Sequence, residues 1–199
     1  MQKYQEQTAQ FATSVKKATA WFTKKLKTIS GNEIMATDSA RLVSRGQLGN
    51  RNIGRLVMFF YDPKHKKTLP YYDRFPLVII LNYYKDGFLG LNLHYLPINL
   101  RAKFLDGLEK IYKGKQLDEN RKLNLTYKTV KSSSRTRYFK PCVKRYLYKA
   151  PNGGGVKSKF YIVDPEEWEM VLTLPTERFE KKSKEYVWQQ SKKALGIQD

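Results

Sequence analysis

The chain has 199 residues, a formal net charge of +20 and a single cysteine. That length suits one core with arms, and one cysteine excludes an internal disulfide framework and fits a reducing compartment. The charge, with a pI near 9.9, lies outside the range of an average globular enzyme and favours a polyanionic partner, nucleic acid before an anionic membrane surface.

No apolar run reaches the roughly 18 residues of a membrane span, and no secretory apolar region follows Met1. The expectation is a soluble protein, intracellular at synthesis, with no membrane partner.

Residues 3–29 read as one amphipathic helix. Tyr4, Phe11, Val15, Ala18, Phe22, Leu26 and Ile29 recur at helical spacing, and lysines crowd the C-terminal half. The stripe fits docking on another surface and fits packing on its own domain equally well. From Ser30 to Asn52 the pattern dissolves among glycines and dispersed arginines, as in a linker that orders on a partner. The expected organisation is therefore a helix at 1–30, a linker or arm at 31–53, and a core domain at 54–199.

The core opens at Gly54. Leu56 to Tyr61 reads as a strand with apolar residues on both faces. Asp62-Pro63 begins a turn, and Pro76 precedes a second strand, Leu77 to Leu81. Asp86-Gly87 closes a hairpin into a third strand, Phe88 to Tyr95. In that strand Leu89, Leu91, Leu93 and Tyr95 alternate with Gly90, Asn92 and His94, the pattern of a sheet with one wet face. A helix follows Pro97, with Leu100, Phe104, Leu105, Leu108 and Ile111 on one face, and Leu117 to Tyr127 is a short helix or loop. A further strand spans Lys157 to Val163. Asp164 is a plausible N-cap for a helix with Pro165 at its first position, and Thr176 to Leu195 reads as a final helix. The expected fold class is α+β: a small, strongly bent antiparallel sheet or SH3-like barrel flanked by helices.

Charge is segregated along this chain. Residues 121–163 hold twelve basic residues and no acidic one, whereas residues 164–199 hold eight acidic and six basic, a net of −2. A surface charged only for solubility would mix its signs. Of that run, Lys122, Lys128, Lys131, Arg135, Arg137, Lys140, Lys144, Arg145, Lys149, Lys157 and Lys159 are the candidate DNA-binding residues. Aromatics threaded between them could stack bases, although Tyr146 and Phe160 suit a core better.

No cofactor or metal is expected. Glu166, Glu167 and Glu169 suit helix capping better than metal ligation. Cys142 has no base at a recognisable spacing. Asp62, Asp73 and Asp86 could be nuclease carboxylates, but each adjoins a turn signal that explains it. A non-catalytic protein is the expectation.

Several phrases point to a family. Tyr61-Asp62-Pro63-Lys64, Leu69-Pro70-Tyr71-Tyr72-Asp73-Arg74-Phe75-Pro76-Leu77 and Gly90-Leu91-Asn92-Leu93-His94-Tyr95-Leu96-Pro97 with Arg101-Ala102 resemble the DNA end protector (head-completion) proteins of T4-like tailed phages, those of marine cyanophages most of all. Phe139-Lys140-Pro141, Lys144-Arg145-Tyr146-Leu147, Trp168 and Leu174-Pro175-Thr176-Glu177-Arg178-Phe179 continue the likeness, which covers about Gly54 to Trp188. The resemblance implies a virion protein, present in the host cytoplasm during assembly, that binds packaged double-stranded DNA near its end at the portal or neck and completes or protects the filled head. Portal, neck or other virion proteins are the implied partners, with helix 3–29 as a docking element and a ring or multi-copy assembly as one arrangement. A structural neck, tail or baseplate component with acidic protein neighbours is the alternative.

Overall fold

The computed structural model describes residues 13–25, 53–113, 127–132, 139–151, 153–173 and 176–196. The expected linker up to Asn52, and the segment 117–127 except Tyr127, lie outside these residues.

The chain is α+β. A five-stranded antiparallel sheet runs in the order β6-β5-β4-β1-β8 and does not close, so the sheet and not the barrel is realised. Its strands are β1 (Leu56–Met58), β4 (Leu77–Tyr84), β5 (Gly87–Asn92), β6 (Val143–Leu147) and β8 (Tyr161–Val163). Two small pairs flank it: β2 (Tyr61–Asp62) with β7 (Gly155–Val156), and β3 (Tyr72–Asp73) with β9 (Phe179–Glu180). The helices are α1 (residues 13–25), α2 (Ile98–Tyr112), α3 (residues 127–132), α4 (Trp168–Thr173) and α5 (Lys184–Leu195).

Successive residues of the central strands feed opposite faces. Leu56, Met58, Leu77, Ile79 and Leu91 join a cluster with Leu105, Leu108, Val171 and Val187 of the covering helices. Val57, Phe59, Val78, Ile80 and Phe88 join a second cluster with Tyr61, Tyr146, Tyr148 and Val156. Tyr146 and the half-buried Phe160 both pack here, as their placement in the sequence suggested. Both faces are therefore covered, which corrects the expected wet face of the third strand. Its polar residues Asn92 and His94 are buried.

That strand also ends earlier than expected. Asn92 stops it by accepting the His94 N–H through its side chain at 2.9 Å, which tips Leu93–Tyr95 into a 3-10 turn. The hairpin before it turns at Lys85-Asp86, because Tyr84 pairs with Gly87. Gly87 is required instead by close approach: a Cβ there would lie 2.0 Å from the Tyr146 carbonyl oxygen across the ladder. The last helix starts at Lys184, not Thr176. Phe179-Glu180 is taken up by pairing with β3, and Ser183 caps the helix by accepting the Tyr186 N–H at 3.3 Å.

Helix α1 spends its apolar face on its own core. Ala18 is buried, Phe22 meets Phe75 edge-on at 5.9 Å, and Trp21 meets Tyr161 at 6.1 Å. Glu167, in the turn before α4, accepts from Trp21 Nε1 at 2.9 Å, pairs with Lys25 at 3.0 Å and accepts from the Tyr161 hydroxyl. It also reaches back to the Asp164 N–H at 3.3 Å, so the carboxylate that caps this turn also holds α1.

Candidate nucleic-acid interface

β6 is an edge strand, and its outer side faces the loop from Pro63 to Tyr72. Between them lies a cleft of ≈ 580 Å³, floored by Tyr61, Tyr95 and Tyr146 and rimmed by Lys64, His65, Tyr71, Tyr72, Lys144 and Arg145. The loop is braced from several sides. Asp62 accepts from Lys66 at 2.9 Å, the His65 carbonyl accepts the Leu69 N–H at 2.9 Å, and Lys181 Nζ donates to the Lys67 and Leu69 carbonyls at 2.9 and 2.7 Å. The Leu147 N–H donates across to the Tyr61 hydroxyl at 3.3 Å, joining β6 to the base of the loop.

Two of the cleft's cations, Lys144 and Arg145, stand on β6. Lys144 is half-buried, with its ammonium 4.2 Å from the centre of the Tyr95 ring, and burial lowers its pKa. Arg145 is exposed at the rim, 2.6 Å from Asp86 and 4.8 Å from the Tyr84 ring. The hydrogen bond from Arg145 holds the Asp86 carboxyl below its usual range.

Beneath the cleft a buried polar network ties the walls together. Asp73 Oδ2 lies 2.7 Å from His94 Nδ1 and accepts from Asn92 Nδ2 at 3.1 Å, while Oδ1 accepts the Phe75 N–H at 3.0 Å. Asn92 also donates to the Tyr146 hydroxyl at 3.0 Å. His94 Nε2 lies 3.0 Å from Thr176 Oγ1. Arg101 Nη2 lies 2.5 Å from Glu177 Oε1, and the same guanidinium donates to the Leu93 and Leu96 carbonyls. Burial alone would raise both carboxyls. The facing charge of His94, joined by Arg101 at Glu177, holds Asp73 and Glu177 below the usual carboxylate range.

The line Thr176–His94–Asp73 has the connectivity of a hydrolytic triad, but Thr176 is only 1% exposed and cannot meet a substrate. The sequence placed His94 on a wet face and explained Asp73 by a turn; together they form the polar centre of the core. Asp62 is held by Lys66 and Asp86 by Arg145. Cys142 is buried, and burial pushes its thiol up to about 12, far from a reactive thiolate at neutral pH.

Among the described candidate DNA-binding residues, only Lys144 and Arg145 line the cleft. Lys140 is exposed on the turn leading into β6, and Lys149, Lys157 and Lys159 are exposed around β7. Lys128 and Lys131 are exposed on α3, with Lys131 5.1 Å from the Tyr127 ring centre. Lys122, Arg135 and Arg137 lie outside the described residues. Sequence reasoning missed Lys64, His65 and the tyrosine walls. Tyr61, Tyr71, Tyr72 and Tyr95 came from the stretch Gly54 to Pro97, where turn prolines and strand patterning suggested architecture alone, and Tyr146 came from the basic run, where it suited a core.

No curated protein matches the chain, and no solved structure matches it. The likeness to phage end protectors seen in the phrases from Tyr61 onward extends over nearly the whole length: residues 2–194 match the phage T4 terminal DNA protecting protein family, and the chain belongs to it.

Proposed function

We propose that this protein is a non-enzymatic virion component that binds packaged double-stranded DNA at or near its end, in the portal or neck region, and shields that end as the filled head is completed. The observation that carries this reading is the family match, whose name is the protection of terminal DNA. The segregated charge of residues 121–163 supports it. Lysines and arginines carried on a sheet edge, on α3 and around β7 neutralise phosphates without reading base sequence, and the release of condensed counterions drives association. Lys122, Lys128, Lys131, Arg135, Arg137, Lys140, Lys144, Arg145, Lys149, Lys157 and Lys159 make these contacts. Bound protein then blocks an exonuclease by occupying the terminus.

The test is digestion of linear duplex DNA by a processive exonuclease as the protein is titrated, together with affinity measured across a salt series. Protection should appear at saturation, and the log–log salt slope should be about 0.9 per phosphate contacted. Changing Lys128, Lys131, Lys149 and Lys159 together to Gln should flatten that slope while the melting temperature holds. Unchanged affinity and slope would sink the assignment of these residues, and the absence of duplex binding would sink the reading as a whole.

A further inference from the structure

We infer that the cleft between β6 and the loop 63–72 takes the last unpaired nucleotide of a DNA end, with its phosphate on Lys144 and its base against Tyr71 and Tyr72. The inference rests on the DNA-end reading and says how an end is told from a duplex flank.

Size is the first argument. The cleft of ≈ 580 Å³ falls within the roughly 300–1,000 Å³ of small-ligand sites. That volume suits one nucleotide and is small for a stacked base pair with both its backbones, so a frayed or overhanging terminal residue fits it best.

Chemistry is the second. Five tyrosines from separate parts of the chain, Tyr61, Tyr71, Tyr72, Tyr95 and Tyr146, line one small space. Tyr71 and Tyr72 are the half-buried ones; the Tyr71 ring stands 6.1 Å from Tyr95, tilted, and 6.2 Å from Tyr186, edge-on. Stacking on such rings tolerates any base, as an end-binding protein without sequence preference needs.

Charge is the third. Among the described ion pairs Lys144 has no carboxylate partner, although its ammonium is half-buried. A half-buried cation with a ring face beside it is a place for an anion. Asp73, which also lines the cleft, has its oxygens occupied by His94, Asn92, Phe75 and Arg178. Asp86 is exposed and already bound to Arg145, so an arriving phosphate exchanges with it at the rim.

The experiment compares the full chain on two labelled DNAs of equal length: a duplex with two-nucleotide overhangs and a dumbbell whose ends are closed by hairpins. The wild type should bind the overhang duplex about tenfold more tightly than the dumbbell. Tyr71→Ala should bring the overhang duplex down to the dumbbell's affinity while leaving the dumbbell's own affinity nearly unchanged, and Lys144→Gln should weaken both DNAs but the overhang duplex more, so that the preference is lost. Tyr71→Phe, which keeps the ring, should retain the preference, and it together with Tyr71→Ala keeps the test decisive if Lys144→Gln does not fold. Overhangs with and without a 5′-phosphate distinguish a terminal phosphate from an internal phosphodiester as the group on Lys144. Equal wild-type affinity for both DNAs, or a preference that survives Tyr71→Ala, overturns the inference while leaving duplex binding intact. Failure to bind either DNA instead counts against the end-protection reading itself.

Discussion

His94 Nδ1 lies 2.7 Å from Asp73 Oδ2 in the interior, and the pair joins the strand β3 to the turn that follows β5. Trp188 of α5 donates to the His94 carbonyl at 2.8 Å, so a terminal helix is fastened to the same point. The cleft above is only as rigid as this junction.

Acid should loosen the fold through these carboxylates. Asp73 and Glu177 have folded-state pKa values held below the usual range. The unfolded chain therefore takes up their protons first, near pH 4, and their stabilisation is whole above that pH and is lost as pH falls toward the folded values. Urea unfolding midpoints measured from pH 7 to pH 3 should be level at first and drop steeply below about pH 4. A midpoint that stays level to pH 3 would show that neither carboxylate is linked to folding.

Glu177→Gln should destabilise by about 3–5 kcal/mol, because it leaves the buried Arg101 guanidinium without its counter-charge. Replacing the pair together, Arg101→Met with Glu177→Leu, should recover a large part of the loss. Chemical denaturation of the single and double variants reads the difference.

Gly87→Ala should act on the DNA face through the backbone. The added Cβ would lie 2.0 Å from the Tyr146 carbonyl oxygen, which no side-chain movement relieves. The edge strand must shift, at a cost of about 1–3 kcal/mol. Since β6 carries Lys144 and Arg145, DNA affinity should fall along with the melting temperature. Gly107→Ala, whose Cβ would meet nothing within 4 Å, should change neither.

Trp21→Ala should free α1 from the core. It removes the indole packing on Tyr161 and the hydrogen bond to Glu167, a loss of about 2 kcal/mol for a half-buried ring. Amide exchange in residues 13–25 should speed up much more than in β4. Equal protection in wild type and variant would mean that the helix holds by other contacts.

Much of the fold was legible in local patterns. Leu56-Val57-Met58 reads as buried on both faces because no polar residue interrupts it, and Asp164-Pro165 marks a helix start through capping chemistry that is local by nature. The site was legible only in part. Lys144 and Arg145 stood out through the absence of acids around them, but nothing near Tyr71 in the chain indicates that it faces Lys144 across a cleft. Trp21 was not counted in the stripe of α1, and its partner Glu167 is 146 residues away, so no local spacing shows their contact.

By itself, then, the sequence determined the segregation of charge, the places of β1, β4, β5 and β8 with the helix after Pro97, and the family, since all three reside in composition and contiguous phrases. Only the tertiary structure decided that His94 is buried and paired with Asp73, that α1 packs on its own core, and that tyrosines from separate segments enclose a space beside Lys144. Alternation along a strand states which residues share a face, but what covers that face is set by long-range packing that no local spacing carries.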